Sequence, residues 1–591
     1  MTNNKSFMTF KNHKNVLLRM IVEYSNFFVG EKPIDVDSVL KKFDRHTLIK
    51  VACIQSCYYG NFSLPDEQRT YFSKSSEKHI EKLNELFLSF RKRNPLGEKD
   101  KITVITYRTS LELWRHIFAI KPEEYKNVIQ EEDAELELFK VILTLNEKLT
   151  YFNHSKDNLK ADELLYLNFY LLNDTNHYDF KGIMQPQLYY VYKLAKACEQ
   201  IEILKKAQDV LFQKWGITSW QQYIATLQYA AYQTEEYRKK GKGGLPILNL
   251  KKLHDSTGLV SETLIDALSI DEDEYIAYED AEIEKQEQNV DYREFRARPF
   301  IKLKNDEGYL VTNIELVCER LYNSLFFDFK PLINGVKGSV GKLDYNTEFV
   351  ERKLFRDTIR ESIPTHYFVF PNEDNTKRSP NEPDFYYRIQ SKLVVFECKA
   401  IKMNGTIRDD GDSLRLFEEL RQKVVLKTKN LDASRKAFTK EPEPIGIGQL
   451  IHHIVSIDED TFEFDTDIPE EVTYYPILVF EDVRLLQPGL LSMLNRWFLE
   501  EMTKKDNAQQ ILQGCMPVMA LSINTLYLYD DLILRRGLTN LIDNFVAANS
   551  TIDENGNYLM NEDSDFDSFL HKNRFHKNNE IINWLISNKR Q

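Results

Sequence analysis

The sequence predicts an α/β core, a mixed β-sheet flanked by helices, behind a large mainly α-helical N-terminal region. Three observations point there. Apolar residues recur at helical spacing through most of the first 245 positions, strand-like segments cluster between 366 and 399, and a further apolar strand at 472–480 follows after helix-periodic sequence. At 591 residues the chain is too long for one hydrophobic core. It divides into a helical scaffold or sensor at 1–245, an acidic linker and small α/β adapter at 246–335, the α/β core at 336–500 and a helical C-terminal extension at 501–591.

The N-terminal helices are expected at Val16 to Phe28, Leu136 to Leu149, Ala161 to Leu172 and Ile203 to Tyr229, with Pro65, Pro95 and Pro122 as separators. No repeat unit is visible, which excludes a regular solenoid. Tyr166, Phe169, Tyr170, Tyr189, Tyr190 and Tyr192 suit either packing between helices, the more common use, or a base-stacking surface. Gly241, Gly243 and Gly244 mark a break. Residues 261–290 then hold eleven acids and one lysine, a density expected of a solvated linker or helix face. Arg298 to Val311 reads as a β-hairpin turning at Asn305 to Gly308, and Leu316 to Phe327 as an apolar helix.

Within the core, Tyr345 to Glu361 has helical periodicity and Pro364 stops it. His366 to Phe370 is a short strand, and 373–380 a polar loop. Phe385 to Ile389 is extended and aromatic, Gln390-Ser391 can turn, and Leu393 to Phe396 is the apolar run of a central strand. Helical spacing resumes at Leu414, Phe417, Leu420 and Val424. Val472 to Phe480 is the next strand, running into Glu481-Asp482. In the C-terminal part, Met516 to Leu534 and Ile581 to Leu585 read as helical.

The chemistry lies in N-E-P-D-F-Y-Y-R-I-Q-S-K-L-V-V-F-E-C-K-A, residues 381–400. Asp384 enters the first strand of a hairpin while Glu397 and Lys399 leave the second, so the turn brings them together. Period two puts Glu397 and Lys399 on one face and Cys398 on the other. Two carboxylates and a backbone carbonyl, that of Cys398, are hard oxygen donors suited to Mg²⁺ or Mn²⁺ rather than zinc. Metal-assisted phosphodiester cleavage uses such a set. A lysine aimed at two carboxylates keeps its proton, so Lys399 is expected to position charge rather than to act as a base.

Pro383-Asp384 followed by Glu397-Cys398-Lys399 resembles the motif of the PD-(D/E)XK nuclease superfamily, the restriction-endonuclease-like fold. The resemblance spans about 340–500, and what it implies is a Mg²⁺-dependent endonuclease of DNA, with Mn²⁺ able to substitute. Members of the family often carry another acid on a helix before the first strand. F-V-E-R-K-L places it on Glu351, with Glu348 the alternative. Many also carry a glutamine after the acid-x-lysine strand, followed four residues later by a tyrosine. Gln449 in I-G-I-G-Q-L-I-H-H fits the glutamine, and His453 stands where the tyrosine would be. The implied catalytic set is Asp384, Glu397, Lys399, Glu351 and Gln449, and the implied metal ligands are Glu351, Asp384, Glu397 and Cys398. A large helical region joined to such a core also looks like a bacterial defence nuclease against phage or foreign DNA. DNA repair, RNA cleavage and a non-catalytic nucleic-acid-binding scaffold are the competing roles.

The net charge of −13 argues against broad nucleic-acid affinity, but 331–440 carries twenty-one Lys and Arg against sixteen Asp and Glu. Arg352, Lys353, Arg356, Lys377, Arg378 and Lys402, followed by Arg415, Arg421 and Lys423, are the candidate phosphate contacts. DNA is the expected partner, ahead of RNA, with a homo-oligomer or a defence-system protein as the expected restraint on cutting. G-V-K-G-S-V-G-K-L at 335–343 lacks the spacing and terminal hydroxyl of an ATP-binding loop. No apolar run spans a membrane, the start M-T-N-N-K-S-F carries no secretory signal, and six scattered cysteines show no zinc spacing. A reducing cytoplasm is the expected location, with Cys53 and Cys57 as buried thiols.

Overall fold

The computed structural model describes residues 19–57, 77–94, 101–148, 159–175, 180–240, 247–248, 259–277, 292–334, 344–364, 367–370, 381–403, 412–427 and 443–571. The chain forms two compact units. The helix-rich N-terminal region is present, and a mixed sheet flanked by helices follows it. No helix among the described residues is long and apolar enough to cross a membrane.

The first unit comprises Met1–Tyr151, Asn173–Leu188 and Asp209–Phe327. Its core gathers Phe27, Phe87, Phe90, Trp114, Phe118 and Phe139. Where one helix is expected from Val16 to Phe28, strand β1 (Arg19–Ile21) pairs in parallel with β2 (Lys101–Thr103), and a short helix, Tyr24–Phe27, follows. The reason is tertiary. The buried Asn146 amide donates to the carbonyls of Val22 and Val104, both at 2.7 Å, and so ties the two strand ends together. The helix expected from Ile203 to Tyr229 is likewise two, Glu202–Trp215 and Trp220–Lys240, because Gly216 takes a φ of +61° and ends the first.

A second small sheet joins β3 (Ser269–Asp271) in parallel to β4 (Phe300–Lys302), which pairs antiparallel with β5 (Tyr309–Val311). The expected turn is present, with Asn305 and Gly308 at positive φ. The acidic block is folded as far as it is described. Ser261 caps the helix Glu262–Ala267, β3 follows, and Glu272 is buried against His46 at 2.7 Å. Local neutralisation is the cause, since Arg298 also meets Glu274 at 2.7 Å. Residues 278–290 and Gly241, Gly243 and Gly244 lie outside the described residues.

Arg45 rivets this unit. Its guanidinium, 4% exposed, donates to the carbonyls of Glu272, Ile120 and Glu274 at 2.7, 2.8 and 2.7 Å and lies over the rings of Phe118 and Tyr125. Arg45→Met fills the volume but leaves three carbonyls without donors. The expected loss is on the order of 3 kcal/mol, read as a lower urea midpoint. An unchanged midpoint would show that water replaces the guanidinium.

The second unit comprises Phe152–Leu172, Tyr189–Gln208 and Asp328–Gln591. Its main sheet has five strands: β6 (Phe368–Phe370), β7 (Phe385–Ile389), β8 (Lys392–Lys399), β11 (Thr473–Phe480) and β12 (Met519–Ser522), in the order β12-β11-β8-β7-β6. Between β8 and β11 come the helices Ser413–Val424 and Ile447–Asp458 and a small antiparallel pair, β9 (Leu426–Lys427) and β10 (Glu443–Pro444). β6, β7 and β8 pair antiparallel, whereas β8, β11 and β12 are parallel. A hairpin, β13 (Ser550–Ile552) and β14 (Tyr558–Met560), lies near the end.

The β7–β8 turn is the expected Gln390-Ser391, since Ile389 pairs with Lys392, and Gln390 adopts a φ of +53°. One face of the sheet sets Phe385 and Phe396 against Phe355. On the other, Tyr386, Leu393, Val395, Leu478 and Phe480 share a core with Leu450, Ile451 and Ile454.

Here the packing reading of three tyrosines holds, and one sequence expectation changes. Tyr166 and Leu167 belong to this core, and Tyr189 and Tyr190 bond to the Thr358 hydroxyl and the Glu481 carbonyl at 2.7 and 3.1 Å. Tyr166, Tyr189 and Tyr190 are therefore packing residues of the second unit, which leaves them no stacking surface. The segment Met516 to Leu534 is not helical throughout. It forms strand β12 and then the helices Ile523–Leu528 and Asp530–Arg536, because Ser522 and Thr525 cap a new start.

Asp465 closes this unit from a loop. It accepts from the Tyr386 hydroxyl at 2.9 Å and from Arg388 Nε at 2.6 Å. Burial pushes its carboxyl up, but the bonds from Arg388 and Tyr386 outweigh burial and leave it below the usual range. A depressed folded pKa stabilises above the unfolded value and is lost as pH falls through the folded one. Asp465→Asn should cost on the order of 2 kcal/mol at neutral pH and flatten the fall in stability below about pH 4. Parallel acid limbs for the two proteins in urea melts would refute this.

Candidate active site

The site is built where β7 begins and β8 ends. Phe385 pairs with Phe396, so the register carries Asp384, one step earlier, opposite Glu397. Asp384 Oδ2 accepts from the Cys398 N–H at 2.8 Å, which locks the carboxylate to the next strand. Lys399 Nζ lies 3.0 Å from Glu397 Oε2 and 4.0 Å from Asp384 Oδ2. Asp384 and Glu397 are 1% and 0% exposed, so both charges are withdrawn from water and depend on this cation.

The third side comes from the helix Ile447–Asp458. Gln449 and His453, one turn apart, share a face and reach the same strand end. Gln449 Oε1 accepts from Lys399 Nζ at 2.8 Å and from the Gly446 N–H at 2.9 Å. His453 Nε2 stands 3.1 Å from Glu397 Oε1. The helix can sit this close to its predecessor only because of the two glycines in I-G-I-G. A Cβ on Gly446 or Gly448 would fall 2.5 Å from the carbonyl oxygen of Val424 or Val425. The first of them also has a φ of +50°.

Electrostatics assign the protonation states. Burial raises the Glu397 pKa, but the Lys399 ammonium and the His453 ring outweigh it and hold the carboxyl well below its usual range. Burial lowers the Lys399 pKa, and Glu397, Asp384 and more weakly Glu351 reverse that and carry it above the ordinary lysine value. Lys399 is a fixed cation here and not a base. Cys398 points to the other face, where burial and then the charges of Asp384 and Glu351 push its thiol far up, so it is inert as a nucleophile.

Glu351 and Glu348 are separated by helix geometry. The segment Asn346–Phe355 is π-helical, and the α-helix Arg356–Ser362 continues it. The wider turn breaks the shared face that α-helical spacing would give the two acids. Glu351 is near enough for its charge to act on Lys399 and Cys398, whereas Glu348 pairs with Arg352 at 3.2 Å.

Arg356, a candidate phosphate contact from the sequence, has another job. It is 8% exposed, donates to the Asp384 carbonyl at 3.0 Å and pairs with Glu382 at 2.8 Å. It therefore holds the N-E-P-D loop to the Glu351 helix. The signal was available in Glu382, an acid two residues before Asp384. Lys402 lies 3.3 Å from the buried Glu481, Arg352 and Lys353 meet Glu348 and Gln200, and Arg421 and Lys423 meet Glu501 and Glu419. Arg415 lies on the exposed side of its helix, and Lys377 and Arg378 fall outside the described residues.

Asp384, Glu397, Lys399 and Gln449 thus converge. Among the described residues no group of three or more His, Cys, Asp and Glu side chains is arranged to hold a metal ion. The donor set fits Mg²⁺ or Mn²⁺ all the same, because such ions bind through one or two carboxylates and take their remaining ligands from water and substrate phosphate. A zinc site would need three or four protein ligands. No protein-family model, curated protein or solved structure matches this chain.

If Glu351 contributes to cation binding, Glu351→Gln should reduce the rise in melting temperature that Mn²⁺ produces, and Glu348→Gln should leave it intact. The reverse ranking would move the role to Glu348.

Proposed function

We propose that the chain is a Mg²⁺-dependent endonuclease that hydrolyses phosphodiester bonds of DNA, with a restriction-endonuclease-like core. The observation that carries this reading is the trio at the strand ends, in which the half-buried Lys399 sets its Nζ between two buried carboxylates, Glu397 at 3.0 Å and Asp384 at 4.0 Å. The strand order supports it too. A helix, three strands, two helices and a further strand is the order of elements expected around the motif.

Asp384 and Glu397, with Glu351 behind them and the Cys398 carbonyl as the further oxygen donor, are the residues that would hold the ion. When bound it supplies Lewis acidity toward a phosphate oxygen. The chain's own groups supply the rest. The Cys398 N–H and His453 orient the two carboxylates, and Gln449 holds the ammonium of Lys399 at the strand end. Lys399 offsets negative charge that grows on the phosphate as a water oxygen attacks phosphorus and the P–O bond breaks. The cellular role we attach to this activity is defence against phage or other foreign DNA. It is an analogy, supported by the joining of such a core to a large helical region.

Purified full-length protein should cut DNA with Mg²⁺ or Mn²⁺ and not with EDTA. Asp384→Ala and Lys399→Ala should lower the rate by at least about a hundredfold while circular dichroism stays native. Single- and double-stranded DNA and RNA form the substrate arms. Cutting that persists in both variants, or in EDTA, would sink the reading, and preference for RNA would reassign the substrate.

A further inference from the structure

The bond from His453 to Glu397 does more than orient a carboxylate. His453 is 3% exposed and lies among apolar residues, with the Phe462 ring edge-on at 6.4 Å between centroids. Its Nε2 is 3.1 Å from Glu397 Oε1. A ring nitrogen this close to a carboxylate oxygen serves as the donor, so Nε2 is the nitrogen that carries the hydrogen. The two oxygens of Glu397 therefore have different partners, His453 on Oε1 and Lys399 on Oε2. Lys399 is also 4.0 Å from Asp384, which makes the Oε2 side the one that faces the second carboxylate.

We propose that His453 is a positioning residue that keeps Glu397 Oε1 engaged on its buried side, leaves Oε2, beside the Lys399 ammonium, as the oxygen presented to a divalent cation, and so sets a preference for Mg²⁺ and Mn²⁺ over Ca²⁺. The proposal rests on the nuclease reading above. Its physical basis is the coordination habit of the ions. Mg²⁺ takes carboxylate oxygens singly in a strict octahedron, whereas Ca²⁺ accepts carboxylates through both oxygens in looser shells. A carboxylate with one oxygen fixed by a buried N–H is a poor two-oxygen ligand. Outer groups that hold a ligand in this way typically contribute 10- to 100-fold in metal affinity. The ring is buried with Phe462 edge-on to it, so water does not readily replace the bond when it is removed.

Calorimetric titration of the full-length protein with MgCl₂, MnCl₂ and CaCl₂, compared across variants, tests this without any substrate. His453→Leu should weaken Mg²⁺ and Mn²⁺ by about 10-fold or more and Ca²⁺ by less, lowering the Mg²⁺-to-Ca²⁺ preference. His453→Gln, whose amide nitrogen stands near the place of Nε2, should restore most of the affinity and the preference. Should the leucine variant fail to fold, His453→Asn takes its place, since its amide stops short of Glu397. Wild-type affinities and an unchanged ion preference in the leucine or asparagine variant overturn the proposal, as does a loss in His453→Gln equal to that in His453→Asn. A wild-type protein that binds none of the three ions sinks the nuclease reading itself, and this inference with it.

Discussion

Everything at the strand ends depends on one ammonium. Two carboxylates at 0% and 1% exposure repel each other and lose their hydration, and each cost alone would drive a carboxyl to take up a proton. Lys399 is close enough to both to reverse that outcome. The benefit is mutual, because the same burial would strip the lysine of its proton if the acids were absent. Lys399 and Glu397 thus hold each other charged, and Asp384 lies 4.0 Å from the same ammonium. A site already arranged around a cation is prepared for charge that appears later, as a reaction proceeds, without paying for solvent reorganisation at that moment.

What fixes the ammonium lies further out. Gln449 is aimed by its bond to the Gly446 N–H, and Gly446 occupies its place only because no side chain intrudes on the Val424 carbonyl. The path from sequence to chemistry therefore runs through two glycines that carry no functional group. A substitution at Gly448 would meet the Val425 carbonyl, shift the helix and move Gln449 and His453 together. Such a change would look like a loss of catalytic residues although none had been altered.

Much of this was legible in the sequence, and the limits have physical causes. The β7–β8 hairpin was readable because its partners are adjacent, its turn short and its side chains alternate, so local rules place Asp384, Glu397 and Lys399 without long-range knowledge. Gln449 and His453 were readable as a pair at helical spacing, but the division of labour between them was not. Gln449 reaches Lys399 and His453 reaches Glu397, a difference set by how the helix sits against the end of β8 and not by the spacing. β12 was missed because Met519–Ser522 is a short apolar run whose strand character comes from pairing with β11, and periodicity cannot separate such a run from a buried helix. β1 was missed for the same reason. Glu348 and Glu351 could not be separated because α-helical spacing puts them on one face, and nothing in F-V-E-R-K-L announces a π-helical turn.

Arg356 carries the same lesson one step further. By composition it is one more cation in a basic region, and by position it follows Glu351 on the helix. In the fold its backbone N–H bonds to the Glu351 carbonyl, while its guanidinium bonds to the Asp384 carbonyl and to Glu382. One side chain thereby couples the helix that carries Glu351 to the loop that carries Asp384, two elements with β6 between them in sequence. A charge that looked available for phosphate is spent in holding two acids in register. Burying Arg356 with Glu382 removes one charge of each sign, so the net charge of the region is unchanged while one of its cations is withdrawn from solvent.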